Sequence, residues 1–186
     1  MSNKAVLDKG FKKFQAIKSR YFQMALKKAG ERIGDYIIET GMYSDVTGNT
    51  RASVAFAVYY GGSPLTIAVI DPSASKQETL KKGDVYKFAD GGIFKAPTGR
   101  ERYRGDQAAI QFLRGYKANG SGFSIVFCVG VKYAEYLENV RKVNVMTDAF
   151  NHVKTMGESF ITQGMTFSLH NGALPFGDVT DFEIPF

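Results

Sequence analysis

The chain has 186 residues, 44% of them apolar and 13% aromatic, which fills one core and is too apolar for a disordered chain. It has no apolar run of about eighteen residues to span a membrane, and its single cysteine, Cys128, leaves no internal disulfide to form. The net charge of +6 is confined to one segment: residues 1–32 hold nine Lys/Arg against Asp8 and Glu31, and the rest holds fifteen basic against sixteen acidic groups. A basic segment calls for an acidic counterpart: nucleic acid, an anionic membrane or an acidic protein face. The first residues, Met-Ser-Asn-Lys, lead into no apolar stretch, so a secretory signal is not expected.

Residues 5–39 read as one long helix. Phe14, Ile17, Tyr21, Ala25, Ala29, Ile33 and Ile37 step by three or four and form an apolar stripe, widened by Phe11, Phe22, Met24 and Leu26. Gly30 and Gly34 each lower helix propensity by about 1 kcal/mol against Ala and mark a kink or a close crossing. Gly41 stands where a C-cap glycine belongs. Thr47-Gly48-Asn49 is a turn signal. Val54, Phe56, Val58 and Tyr60 then alternate with their neighbours as a strand does. Gly61-Gly62-Ser63-Pro64 closes a hairpin, and Leu65, Ile67 and Val69 begin the return strand, which Asp71-Pro72 ends.

Residues 73–121 carry ten basic and five acidic groups among scattered glycines and aromatics, and read as a long excursion between two strands, with a short helix at about 106–115. Phe123, Ile125, Phe127 and Val129 give a third strand, and Tyr133 to Glu138 a helical turn. Met146, Ala149, Phe150, Val153, Met156 and Phe160 give a second amphipathic helix over about 146–162, with Asn144 or Thr147 as N-cap candidates. Residues 164–186 read as an extended arm whose Phe182, Ile184 and Phe186 gain about 1.5–3 kcal/mol each when buried against a partner. The expectation is one α+β domain over 1–186. A long N-terminal helix and a C-terminal helix pack on one face of a small antiparallel sheet, with the insertion at 73–121 and the arm at 164–186.

Little in the chain points to chemistry. His152 and His170 lie eighteen residues apart with no ligand spacing, and Cys128 has no histidine near it in sequence, so it reads as a small buried residue. Glu135 and Glu138 share a helical face without a surrounding polar constellation. The glycine pairs lack the Lys-Ser/Thr ending of a phosphate loop. No catalytic residue, metal ligand, cofactor or small-molecule substrate is therefore expected. The basic helix is a solvated face, or meets acidic groups of a neighbouring subunit, or meets nucleic acid; Lys12, Lys13, Arg20, Lys27 and Lys28 are its candidate cations. In the insertion, Arg100, Arg102, Tyr103 and Arg104 mix charge with an aromatic ring, which suits nucleic acid and a protein interface equally.

Two stretches carry a resemblance. Thr47-Gly48-Asn49-Thr50-Arg51-Ala52-Ser53 resembles the Thr-Gly-x-Leu-Arg-x-Ser lead into the first strand of the tail-completion and head–tail connector (neck) proteins of long-tailed bacteriophages. Val129-Gly130-Val131-Lys132-Tyr133-Ala134-Glu135-Tyr136-Leu137-Glu138 is similar to that family's strand ending in Val-Gly followed by Tyr-Ala-x-Tyr-hydrophobic-Glu. Asp148-Ala149-Phe150 resembles the start of its final helix. The chain departs from the pattern at Thr50, at Asn139-Val140 in place of a glycine after the last Glu, and in the length of the excursion and arm.

The resemblance implies a virion structural protein, made in the host bacterial cytoplasm. It would form a homo-oligomeric ring, six- or twelve-fold, that joins the portal side of the head to the tail around the DNA channel. Its implied partners are further copies of itself, other neck, portal or tail proteins, and DNA in the channel, with no membrane. Thr47, Gly48, Arg51, Tyr133, Tyr136, Glu138, Phe182 and Phe186 are the candidate motif and interface residues, and Arg51 is a candidate to begin the first strand and to pair with Glu138. The rival expectation is a basic nucleic-acid-binding protein acting outside a virion.

Overall fold

The computed structural model describes residues 3–41, 48–74, 81–87, 91–95, 104–131, 134–139 and 145–170. Helix α1 (Asn3–Thr40) is followed by a single helical turn, α2 (Asn49–Ala52), and then by strands β1 (Val54–Tyr60) and β2 (Ser63–Val69). A 3-10 turn (Pro72–Ala74) leads to a small hairpin of β3 (Val85–Lys87) and β4 (Ile93–Lys95) and to helix α3 (Gly105–Gly115). Strand β5 (Phe123–Val129), helix α4 (Ala134–Asn139) and helix α5 (Thr147–His170) follow. The architecture is α+β: long first and last helices with a three-stranded antiparallel sheet of order β2-β1-β5.

β1 is the centre of the sheet. It pairs antiparallel with β5 in unbroken register from Val54↔Val129 to Tyr60↔Phe123, and with β2 through a register shift between Val58 and Tyr59. The turn joining β1 to β2 uses Gly61 and Gly62 at φ 56° and 81°, the positive values that a two-residue hairpin turn requires and that side chains resist.

Helices cover both faces of this sheet, where the sequence led to the expectation of one. The reason lies in β1 itself. Val54, Phe56 and Val58 point one way, and Ala55, Ala57 and Tyr59 the other, so neither face is polar and both need cover. On the first face, Leu26 of α1 packs with Phe56 and Val58, and Ile33 and Ile37 pack with Val54 and with Ala149 of α5. On the second, Ala109 and Leu113 of α3 pack against Ala55, Ala57 and Tyr59. The buried Tyr59 hydroxyl donates to the Leu113 carbonyl at 2.5 Å, which satisfies the ring's one polar atom. The expected helix at 106–115 is therefore part of the core, and the segment 73–121 is not wholly an excursion.

Gly30 and Gly34 are a close crossing and not a kink. A Cβ on Gly30 would sit 2.3 Å from the Phe56 ring, and one on Gly34 2.1 Å from Ile70, so α1 lies on the sheet at a distance only glycine permits. Two boundaries differ from expectation. Arg51 belongs to α2 and does not begin the strand, because Gly48 turns the chain into one helical turn first. Helix α5 runs on to His170, past the expected end at 162, so residues 164–170 are helical and not arm. A lone Gly164 costs about 1 kcal/mol in a helix and does not end one.

Candidate assembly surfaces

The two resembling motifs meet at one corner of the sheet. Gly48, at φ 66° and ψ 2°, opens α2, and its carbonyl accepts the Ala52 N–H at 2.9 Å. The Asn49 side-chain oxygen accepts the Gly105 N–H at 2.9 Å, tying α2 to the start of α3. The Ser53 hydroxyl donates to the Thr50 carbonyl at 2.7 Å, and the Ser53 carbonyl accepts the Gly130 N–H at 3.1 Å. The first motif thus bonds directly to the second. The corner is built from small residues. A Cβ on Gly130 would lie 2.0 Å from the Gly105 oxygen and 2.6 Å from the Ala109 nitrogen, so the chain leaving β5 touches α3 backbone to backbone.

The second motif ends in a cap. One Glu138 oxygen accepts the backbone N–H groups of Val145 at 3.0 Å and Met146 at 3.1 Å, and the other that of Thr147 at 2.8 Å. These are donors that the start of α5 leaves without helical partners. Partial burial acts to raise the Glu138 pKa, but the bonds from Thr147, Met146 and Val145 outweigh it and hold the carboxyl below its ordinary range. Glu138, suggested as a partner for Arg51, is thereby engaged with the N-terminus of α5. Tyr136 lies in α4. Thr47, Tyr133, Phe182 and Phe186 lie outside the described residues, as do Arg100 and Arg102.

Several candidate cations are held internally. Lys27 and Lys28 both donate to Glu31, at 2.5 and 3.2 Å. Partial burial raises the Glu31 pKa, and these two lysines more than reverse the effect. Arg104 forms a two-pronged bond to Asp106, at 2.9 and 2.5 Å, and the Asp106 carboxyl is held low chiefly by that bond. Lys12, Lys13 and Arg20 are exposed on α1.

The described residues hold no group of three His, Cys, Asp or Glu suited to a metal ion, and no helix long and apolar enough to cross a membrane. Cys128 faces α3 with its thiol 3.8 Å from the Ala109 carbonyl, and burial pushes its pKa to about 12, so it stays protonated. His152 stacks on Tyr36 with ring centroids 4.1 Å apart.

The informative surfaces are apolar. The stripe of α1 is buried at Tyr21, Ala25, Ala29, Ile33 and Ile37, but it continues toward the N-terminus uncovered: Leu7, Phe11 and Phe14 are 72%, 62% and 61% exposed. Phe14, expected in the core, is therefore outside it, because the sheet ends before the helix does. Next to this end lies an open groove of about 720 Å³, between α1 and the end of the sheet that carries Tyr60 and Phe123. Phe22 stacks on Phe123 at 5.9 Å, Tyr60 lies 4.7 Å from Phe123, and the Lys18 ammonium stands 5.9 Å above Phe22. Phe150, Met156 and Ile161 of α5 form a second exposed apolar set. The β3–β4 hairpin is a third, with Val85 57% and Ile93 67% exposed. Two-stranded hairpins are marginal alone in water. The groove is not legible locally, since Phe22, Tyr60 and Phe123 come from three elements; the local sign of it is Phe22 lying off the main stripe.

No family model matches the chain, and no curated protein and no solved structure matches it at a significant level.

Proposed function

We propose that this chain is a bacteriophage virion structural protein of the neck or tail-completion type, which assembles into a ring joining head to tail around the DNA channel. The observation that carries the reading is the uncovered end of the α1 stripe. Burying Leu7, Phe11 and Phe14 against a neighbour is worth about 1.5–3 kcal/mol each, and nothing among the described residues covers them. The apolar sets on α1, α5 and the β3–β4 hairpin come from different elements, which suits the head-to-tail contacts that close rings. The resembling motifs support the same reading, because they pack into one corner and end in the cap of α5. Its work is contact, not chemistry, and its place is the virion, after synthesis in the host bacterial cytoplasm. The rival reading, a nucleic-acid-binding protein acting alone, draws on the exposed Lys12, Lys13 and Arg20.

The test is the mass of the purified protein in solution at several salt concentrations, with and without DNA. A discrete oligomer, weakened by Phe11→Ser with Phe14→Ser at unchanged melting temperature, supports the proposal. A stoichiometric, salt-sensitive complex of the monomer with DNA replaces it with the rival.

A further inference from the structure

We infer that the groove between α1 and the Tyr60–Phe123 end of the sheet receives residues 171–186 of a second copy of this chain; the inference rests on the self-assembly reading and names its contact. The groove has two chemical features. Its floor is aromatic, made by Phe22, Tyr60 and Phe123, and its helical rim is cationic, with Lys12 and Lys18 exposed. The occupant must therefore combine large apolar side chains with acidic ones.

Residues 171–186 have that composition. They carry Asp178, Asp181 and Glu183 with no Lys or Arg, and Leu174, Phe176, Val179, Phe182, Ile184 and Phe186. Pro175 and Pro185 disfavour a helix there. In an extended conformation side chains alternate sides, so Phe182, Ile184 and Phe186 would fall on one face and Asp181 and Glu183 on the other. That arrangement lays rings on the groove floor and carboxylates along the lysine rim. Lys12 and Lys18 are separated by about 9 Å of helix rise, and Asp181 and Glu183, on one face of an extended chain, are about 7 Å apart, within reach of two long lysine side chains. The sixteen residues after His170 reach about 53 Å when extended, which is ample to bridge to a neighbouring copy. A tail seated in the next copy's groove is a head-to-tail contact, with different surfaces on the two sides, and closes a ring when the rotation permits.

The experiment uses full-length chains and sedimentation over a range of concentrations. One variant carries Lys12→Glu with Lys18→Glu, and the other Asp181→Lys with Glu183→Lys; the groove substitutions are on exposed positions, and melting temperatures check that both fold. The expected result is self-association of the wild type, about tenfold or more weaker in each variant, and recovery of association when the two variants are mixed. The mixture recovers because each pair then holds one intact groove and one intact tail. If both variants associate as the wild type does, the groove assignment falls while self-assembly stands. If the variants lose association and the mixture does not recover it, the groove lysines and the tail carboxylates do not meet in one contact and the inference is overturned. A wild type that stays monomeric at every concentration overturns the inference and the self-assembly reading together.

Discussion

Replacing Glu138 tests the account of the second motif. Its carboxylate accepts three backbone N–H groups at the start of α5, from Val145, Met146 and Thr147. Losing a helix cap costs about 0.5–2 kcal/mol, and losing a negative charge at a helix N-terminus about 0.3–1 kcal/mol more. Glu138→Ala loses both and should cost about 2 kcal/mol. Glu138→Gln keeps an acceptor oxygen and loses the charge, so it should cost about 1 kcal/mol. For a chain of this size each kcal/mol lowers the melting temperature by about 2–4 °C.

The pH dependence is an independent check. The folded pKa of Glu138 lies below its unfolded value, so its contribution is present above the unfolded value of about 4.3 and fades as pH falls through the folded one. The gap between wild type and Glu138→Gln should be full at pH 7 and should close at strongly acid pH. Glu31 and Asp106, also held low, titrate alike in both proteins and cancel in the difference. Urea or thermal unfolding at a series of pH values measures it. Variants as stable as wild type at pH 7, or a gap that persists undiminished in acid, refute the cap.

Three further outcomes follow from packing. Gly130→Ala places a Cβ 2.0 Å from the Gly105 oxygen, where backbone meets backbone, and should cost about 3 kcal/mol or prevent folding, read by unfolding or soluble yield. Gly30→Ala presses on the buried Phe56 ring and should cost about 1–3 kcal/mol by the same measurement. Cys128, partly buried and with its pKa at about 12, should react with a thiol reagent at pH 8 far more slowly than an exposed cysteine; labelling of the native protein at an exposed cysteine's rate contradicts that reading.

What the sequence made legible was periodicity, and periodicity does not name the covering partner. The α1 stripe was visible from Phe14 to Ile37, yet its buried part begins at Tyr21, because only the sheet's position decides where cover stops. The sheet's second face was legible in principle: Ala55, Ala57 and Tyr59 are apolar, so β1 had no solvent face, and Ala109 and Leu113 in the insertion were the matching cover. Gly30 and Gly34 signalled a special position in sequence, but Phe56 and Ile70, which make it a crossing, are distant along the chain. Glu138 stood out in the motif; its partners are N–H groups at 145–147, which no side-chain pattern reveals. The groove joins α1, β1 and β5, and only the fold assembles it.

The basic charge of α1 acquires a different meaning from its neighbours. Lys27 and Lys28 are tied to Glu31 and Arg104 to Asp106, so part of the cationic surplus is used within the chain. Lys12, Lys13 and Lys18 lie close along the helix to Phe11 and Phe14, at the end of α1 where the large side chains are exposed. Against a phosphate backbone those rings would gain little, whereas burial in a protein contact is worth about 1.5–3 kcal/mol for each. An exposed ion pair contributes about 0–1 kcal/mol, so the apolar term decides and the lysines select an acidic partner. Raising salt from 50 to 200 mM should therefore weaken self-association only several-fold. A protein held to DNA by six to ten phosphates would lose about a thousandfold or more over that range, and a loss of that size in the affinity of this chain for DNA, with no self-association beside it, would reverse the argument.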